Sequence, residues 1–167
     1  MKKIRILFFG GVCLLLLSPP SVLGAYPDRE ITVYCGSTAG GTTDLGIRLL
    51  SDIVSKSLGQ PIVVVNKPGA SQTVCANLVA NSKPDGHTLG ALSSGALWQV
   101  PNLRKVPYDP RKDFTYIATY TDYTSGIVVK ADAPWKTAKE FMDYSKNNPG
   151  AMIYGSDGHG MATHILM

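Results

Sequence analysis

The 167-residue chain is short of the features that usually announce a chemistry. It has three cysteines, of which Cys35 and Cys75 lie beyond the first 25 residues. So few exclude a disulfide-stapled scaffold, and their spacing fits no zinc or redox motif. Charge is sparse, with Asp, Glu, Lys and Arg making up 17%. No apolar run reaches the roughly 20 residues of a membrane-crossing helix. The longest, residues 6–17, has 12. A basic patch is missing as well. The formal charge is +4, but Lys2, Lys3 and Arg5 stand before that run, and beyond residue 25 there are 13 basic against 12 acidic residues, a net of +1. That balance argues against nucleic acid as a partner. There is no internal repeat and no low-complexity tract.

What is present begins with a leader. A basic start, the 12-residue apolar run and the breaker "SPPSVLGA" form a secretory signal peptide over residues 1–25, cut after Gly24 or Ala25. No lipid-attachment pattern precedes Cys13. A soluble, exported, periplasmic protein is expected, with 142 residues left if the cut follows Ala25, enough for one modest domain. In an oxidising compartment Cys35 and Cys75 can pair as a disulfide; the alternative is two small buried apolar side chains.

Beyond the leader, strand and helix patterns alternate. "ITVYCG" (31–36) is β-rich. Residues 42–58 carry a helical stripe of Leu45, Leu49 and Ile53 with Leu50 and Val54 beside it, stopped by Gly59 and Pro61. "PIVVVN" (61–66) reads as a strand buried on both faces. "KPGAS" leads into a helix over 71–81, "KPDG" is a turn, and "HTLGAL" (87–92) is a third strand. Such a β-α-β-α-β order predicts an α/β fold with a parallel sheet. Residues 93–113 read as a loop with a short helix. The runs 114–120, 125–130 and 151–156 are β-like. Thr137 and Glu140 have capping-box spacing before a helix over 137–147, and a last helix follows "DGHG".

Two turns stand out, "TAGGTTD" (38–44) and "GSDGHGMAT" (155–163). Gly-rich turns into helices leave free backbone N–H groups at the positive end of a helix dipole, an anion site. Each alone could be a plain tight turn; an early and a late one together point to a ligand. Nucleotide phosphate fits poorly, since the G-x-x-x-x-G-K-[ST] pattern is absent and Thr163 stands where a dinucleotide fingerprint needs Gly or Ala. Ser156 is not in a G-x-S-x-G elbow. His159 and His164, five apart, do not share a helix face as metal ligands would. They and His87 read as turn or helix-surface residues. Asp44 has two readings, a ligand-site residue or a charge that satisfies the helix dipole.

In order along the chain, "YPDREITV", "STAGGTTDLGIRLL", "LGQPIVVVNKPGAS", "KPDGHTL", "YDPRKDFTYIA" and "YGSDGHGMATH" resemble the successive blocks of the Bug-type substrate-binding proteins of tripartite tricarboxylate transporters. The resemblance spans residues 26–167 and implies a class II periplasmic-binding-protein fold of two lobes, residues 26–125 beginning the first and 126–167 the second. It implies no enzyme and no cofactor. The implied function is a receptor, monomeric when full length, that closes on a small di- or tricarboxylate and hands it to a membrane permease. The ligand contacts it implies are Ala39, Gly40, Gly41, Thr42, Thr43 and Asp44 from the first turn, and Ser156, Gly158, Gly160 and Met161 from the second. A side chain at Gly41 would fill the space where a carboxylate meets main chain, and would demand a φ that only glycine adopts freely. Asn66, Pro68, Gly69, Asp85 and Gly86 read as structural turns. Tyr108, Asp109, Phe114, Trp98 and Trp135 read as packing.

Departures from the family pattern are Gly36 and Ala39 where Pro is usual, His87 for Tyr, Cys35 for Val and Cys75 for Gly. Members of that family run to about twice this length, so the chain is expected to be a fragment with its second lobe cut short. The rival readings are a small stand-alone α/β enzyme or redox domain, and a non-functional gene remnant.

Overall fold

The computed structural model describes residues 26–165. The signal peptide, its cut near Gly24 or Ala25, Cys13, Leu166 and Met167 lie outside them. The centre is a three-stranded parallel sheet of β1 (Ile31–Cys35), β2 (Ile62–Asn66) and β3 (Thr88–Ala91), in the order β2-β1-β3. Val33 of β1 sits opposite Val64 of β2 and Leu89 of β3. As the middle strand, β1 carries Ile31, Val33 and Cys35 fully buried. Val33, Cys35 and Ala91 form the core cluster, with Ile47, Ile62, Val64, Leu89 and Tyr120 packed around it.

Strand β2 corrects one expectation. Among the described residues it pairs with β1 alone at the sheet edge, and its residues are only half-buried or exposed, not covered on both faces.

Helix α1 (Thr42–Leu58) has the bounds its pattern predicts, and Gly59 ends it in a left-handed conformation, φ 69°, with its N–H on Ser55 C=O. Its apolar stripe does not face the sheet. Leu45, Leu49 and Ile53 are 59%, 65% and 60% exposed, while Asp44 and Ser51 are buried and Ile47 packs on the core. Polar anchoring decides the rotation. Asp44 is tied into the turn before the helix, and this turns the Asp44–Ile47–Ser51 side inward.

The next helix also starts later than its pattern predicts. Residues Ala70, Ser71 and Gln72 form a tight turn in left-handed backbone, φ 46°, 57° and 66°, and α2 (Thr73–Ala80) follows. The chain after β3 runs through a π-helical turn, Gly95–Gln99, into the short α3 (Val100–Leu103). Tyr108 packs as expected, buried, edge-on to Phe114 at 5.7 Å and donating to Ala96 C=O at 2.6 Å. His87 is not a surface residue. It is buried between Asp28 and Asp85, its Nε2 3.0 Å from Asp28 Oδ1.

The β-like runs 114–120, 125–130 and 151–156 join no ladder among the described residues. Val128 and Ile153 are 93% and 99% exposed. Their β-branched composition favours extension, but a strand also needs a neighbour to pair with. Helix α4 (Ala138–Asn147) has the expected cap. Thr137 Oγ1 accepts from Glu140 N–H at 3.2 Å, and Glu140 reaches back to Lys136 N–H at 2.7 Å. Helix α5 (Ala162–Ile165) closes the described chain.

Candidate functional site

The sheet order places β2 and β3 on opposite sides of β1, so the connections diverge between β1 and β3. In open α/β sheets, ligands settle in the crevice beyond the strand C-termini at such a divergence. Three loops meet there: the turn after β1, the left-handed turn after β2, and the residues after β3.

The turn after β1 is built around Asp44. Its residue is 1% exposed, and its carboxylate accepts from Gly40 N–H at 2.9 Å, from Asn66 Nδ2 at 2.8 Å and from Arg48 Nε at 3.0 Å. Arg48 Nη2 donates to Asn66 Oδ1 at 2.9 Å, and Asn66 Nδ2 also donates to Ser37 C=O at 3.1 Å. The Arg48 bond, then the Gly40 and Asn66 bonds, hold the Asp44 carboxyl down at about 2. With its oxygens engaged inside the protein, Asp44 shapes the turn.

The amides are what the turn presents. Gly41 precedes α1 with no side-chain cap, and the first intrahelical bond runs from Leu45 N–H to Gly41 C=O. The N–H groups of the first helical turn therefore have no partner within the helix. Gly40, at φ 80°, supplies the left-handed step. Gly41 does not, since its φ is −70°, which any residue adopts. Space is tight there instead, because a Cβ on Gly41 would lie 3.1 Å from Thr38 C=O. Ala39 and Thr42 are exposed. Thr43 is half-buried, its Oγ1 3.1 Å from the Tyr123 hydroxyl, while Tyr120 donates to Thr43 C=O at 3.2 Å.

In the second turn, Gly158 (φ 138°) and Gly160 (φ 82°) take conformations suited to glycine, and Met161 N–H bonds to Gly158 C=O at 3.1 Å. Met161 and Gly160 are buried, Gly158 is half-buried and Ser156 is exposed. This turn packs against the loops at the sheet end. Ser71 Oγ donates to His159 C=O at 2.9 Å. Met161 Sδ sits 2.7 Å from where a Cβ on Gly95 would be.

The residues between the two turns escaped the sequence reading. Gln72 lies so close to Gly36 that a Cβ there would meet Gln72 Oε1 at 2.8 Å, and Gln72 Oε1 accepts from Ser93 N–H at 2.9 Å. Ser71 and Gln72 thus touch the second turn on one side and the start of the first on the other. The one sequence signal was "KPG" just before them, which marks a turn but not its hand.

Cys35 and Cys75 are free thiols in the structure, both fully buried, so of the two alternatives the sequence left open the structure has the unpaired one. Cys35 Sγ lies 3.3 Å from Ser37 Oγ. Burial, with Cys35 nearby, pushes the Cys75 thiol up to about 12. The two pack as small apolar side chains.

A family model described as the tripartite tricarboxylate transporter family receptor matches residues 47–167. The UPF0065 protein in the gbd 5' region of Cupriavidus necator is 42% identical over 142 residues, covering 85% of this chain. This chain spans 43% of that relative's length. Among solved structures, the periplasmic binding protein BugD aligns with a TM-score of 0.67 at 32% identity, over 84% of this chain and 47% of its own. MatC from Rhodopseudomonas palustris, solved with bound malate, aligns with a TM-score of 0.62 at 34% identity, over 72% and 42%.

Proposed function

Because the chain belongs to the tripartite tricarboxylate transporter receptor family, we propose that it serves an exported receptor that binds a small di- or tricarboxylate and delivers it to a membrane permease. On this reading the protein works in the periplasm as a monomeric binding protein and catalyses nothing. Residues 26–125 contribute to one lobe and 126–167 to the other.

One observation carries the proposal. The uncapped start of α1, with its Gly40–Gly41 turn pinned by Asp44, opens at the sheet divergence beside Ser71 and Gln72, and Ser71 bonds to the Gly158–Met161 turn. Backbone amides aimed outward from a fixed turn suit a carboxylate. Each charge-assisted hydrogen bond there contributes about 1.5–3 kcal/mol. The contacts proposed are the amides of Thr42 and Thr43, with Ala39 at the rim and Gly40 and Gly41 giving close access to main chain while their own N–H groups bond to Asp44 and Thr38, and Ser156, Gly158, Gly160 and Met161 from the facing turn. Asp44 acts on the ligand through the turn it holds. MatC's bound malate supports a dicarboxylate as the ligand class.

Thermal-shift titration with malate, succinate, citrate, ATP and NAD tests the proposal. Stabilisation by at least one carboxylate and by neither nucleotide is expected. Stabilisation by a nucleotide with none by any carboxylate would reject it.

A further inference from the structure

Thr43, the second residue of α1, is held from two sides by one segment, residues 120–123. Tyr120 donates to its C=O at 3.2 Å, and the Tyr123 hydroxyl lies 3.1 Å from its Oγ1. The Thr121 hydroxyl donates to the Tyr123 oxygen at 3.3 Å. The segment fits closely on the first turn of the helix. A Cβ on Gly46 would lie 3.1 Å from the Tyr120 ring and 3.3 Å from the Thr121 methyl.

Each hydroxyl carries one proton. Thr121, Tyr123 and Thr43 therefore bring three protons to two mutual bonds, and one is left over. Thr121 gives its proton to Tyr123. A phenol, the more acidic hydroxyl, is a stronger donor and a weaker acceptor than an aliphatic one, so the Tyr123 proton goes to Thr43 Oγ1. The proton left over is that of Thr43, which has no acceptor among the described residues. Thr43 is half-buried and Tyr123 is 47% exposed, so an arriving group can reach it.

We propose that Tyr123 is a positioning residue for the ligand: it fixes the Thr43 hydroxyl as a further donor to the carboxylate, beside the amides of Thr42 and Thr43. A carboxylate only accepts, so its site needs protons turned outward. Threonine in a helix divides between two χ1 rotamers, and the Tyr123 bond selects one. The proposal rests on the receptor reading above and adds to it a residue outside both Gly-rich turns.

The test is a double-mutant cycle by calorimetry on the full chain, with malate and citrate as probes. Thr43→Val removes one donor to a charged group and should weaken binding about tenfold. Tyr123→Phe keeps the ring and should weaken it about threefold. In the Thr43→Val background, Tyr123→Phe should cost nothing more, because no hydroxyl remains to be aimed. In the Thr43→Ser background the hydroxyl is back, and the loss of about threefold should return. A purely structural role for Tyr123 would give the same loss in every background. Melting curves check that each variant is folded. Parent affinity in the Tyr123→Phe protein, or a loss that persists beside Thr43→Val, would overturn the positioning role while leaving carboxylate binding in place. Binding of neither acid by the parent chain would instead reject the receptor reading, and the positioning role with it.

Discussion

Asn66 donates a hydrogen bond to Asp44 across 2.8 Å, so the last residue of β2 fixes the turn that follows β1. The same carboxylate holds Gly40 N–H and Arg48. One buried group therefore sets the direction of the amides that open α1.

This pair has an acid signature. The Asp44 carboxyl is held at about 2, below its ordinary 3.8, chiefly by the Arg48 bond. A depressed carboxylate stabilises the fold above its unfolded value and loses that contribution as pH falls through the folded value. Stability should decline between about pH 4 and pH 2. Asp85, held at about 2 by the His87 N–H and Arg29, contributes in the same window. Asp44→Asn should lower the melting temperature at neutral pH and flatten the acid limb. Melting curves from pH 7 to 2 measure both, and an unchanged acid limb would show that Asp44 is not the group responsible.

Gly40 and Gly41 should separate fold from binding. Gly40→Ala forces a side chain into left-handed backbone and should cost about 1–2 kcal/mol, read from urea midpoints. Gly41→Val keeps an allowed φ but crowds Thr38 C=O. It should leave the chain folded and abolish carboxylate binding in calorimetry. Full affinity in a folded Gly41→Val protein would mean that the turn serves the fold alone.

Ala70→Gly should stabilise the protein. Ala70 sits at φ 46°, and only its carbonyl is engaged, accepting from Thr73 Oγ1 and Arg104 Nη2. Relief of left-handed strain should outweigh the extra freedom of glycine in the unfolded chain, for a gain of up to about 1 kcal/mol. A lowered urea midpoint would contradict the conformation assigned here.

Both thiols should resist modification until the protein unfolds. Cys75 is buried with its thiol pushed up to about 12, and the reactive species is the thiolate. Mass spectrometry after alkylation should find neither Cys35 nor Cys75 labelled under native conditions and both labelled in denaturant without reductant. Failure to label in denaturant would reveal a disulfide.

Local patterns made most of the sheet and its helices legible. Gly59 and Pro61 after an apolar helical stripe bound α1, and Thr137 with Glu140 placed the cap of α4. Rotation about the helix axis was not legible. The Leu45–Leu49–Ile53 stripe suggested an inward face, yet Asp44 is the residue bonded to β2 and so chose the orientation. Strand pairing was equally hidden. The runs 114–120 and 125–130 have the composition for strands, but composition does not supply a neighbour. At the candidate site the glycines were readable because turns need them. Gln72 was not, because its importance lies in contacts with Gly36 and Ser93 on two other loops.

The closeness of Gly36 and Gln72 also constrains how this sequence can change over generations. Any side chain at 36 collides with Gln72 within 2.8–3.1 Å. A lineage can therefore enlarge position 36 only after position 72 has shrunk, and the reverse order passes through a protein that does not pack. The two positions form a one-way path through sequence space. Randomising both together should recover side chains at 36 almost solely beside Gly at 72, because the Gln72 Cβ itself would lie 2.9 Å away.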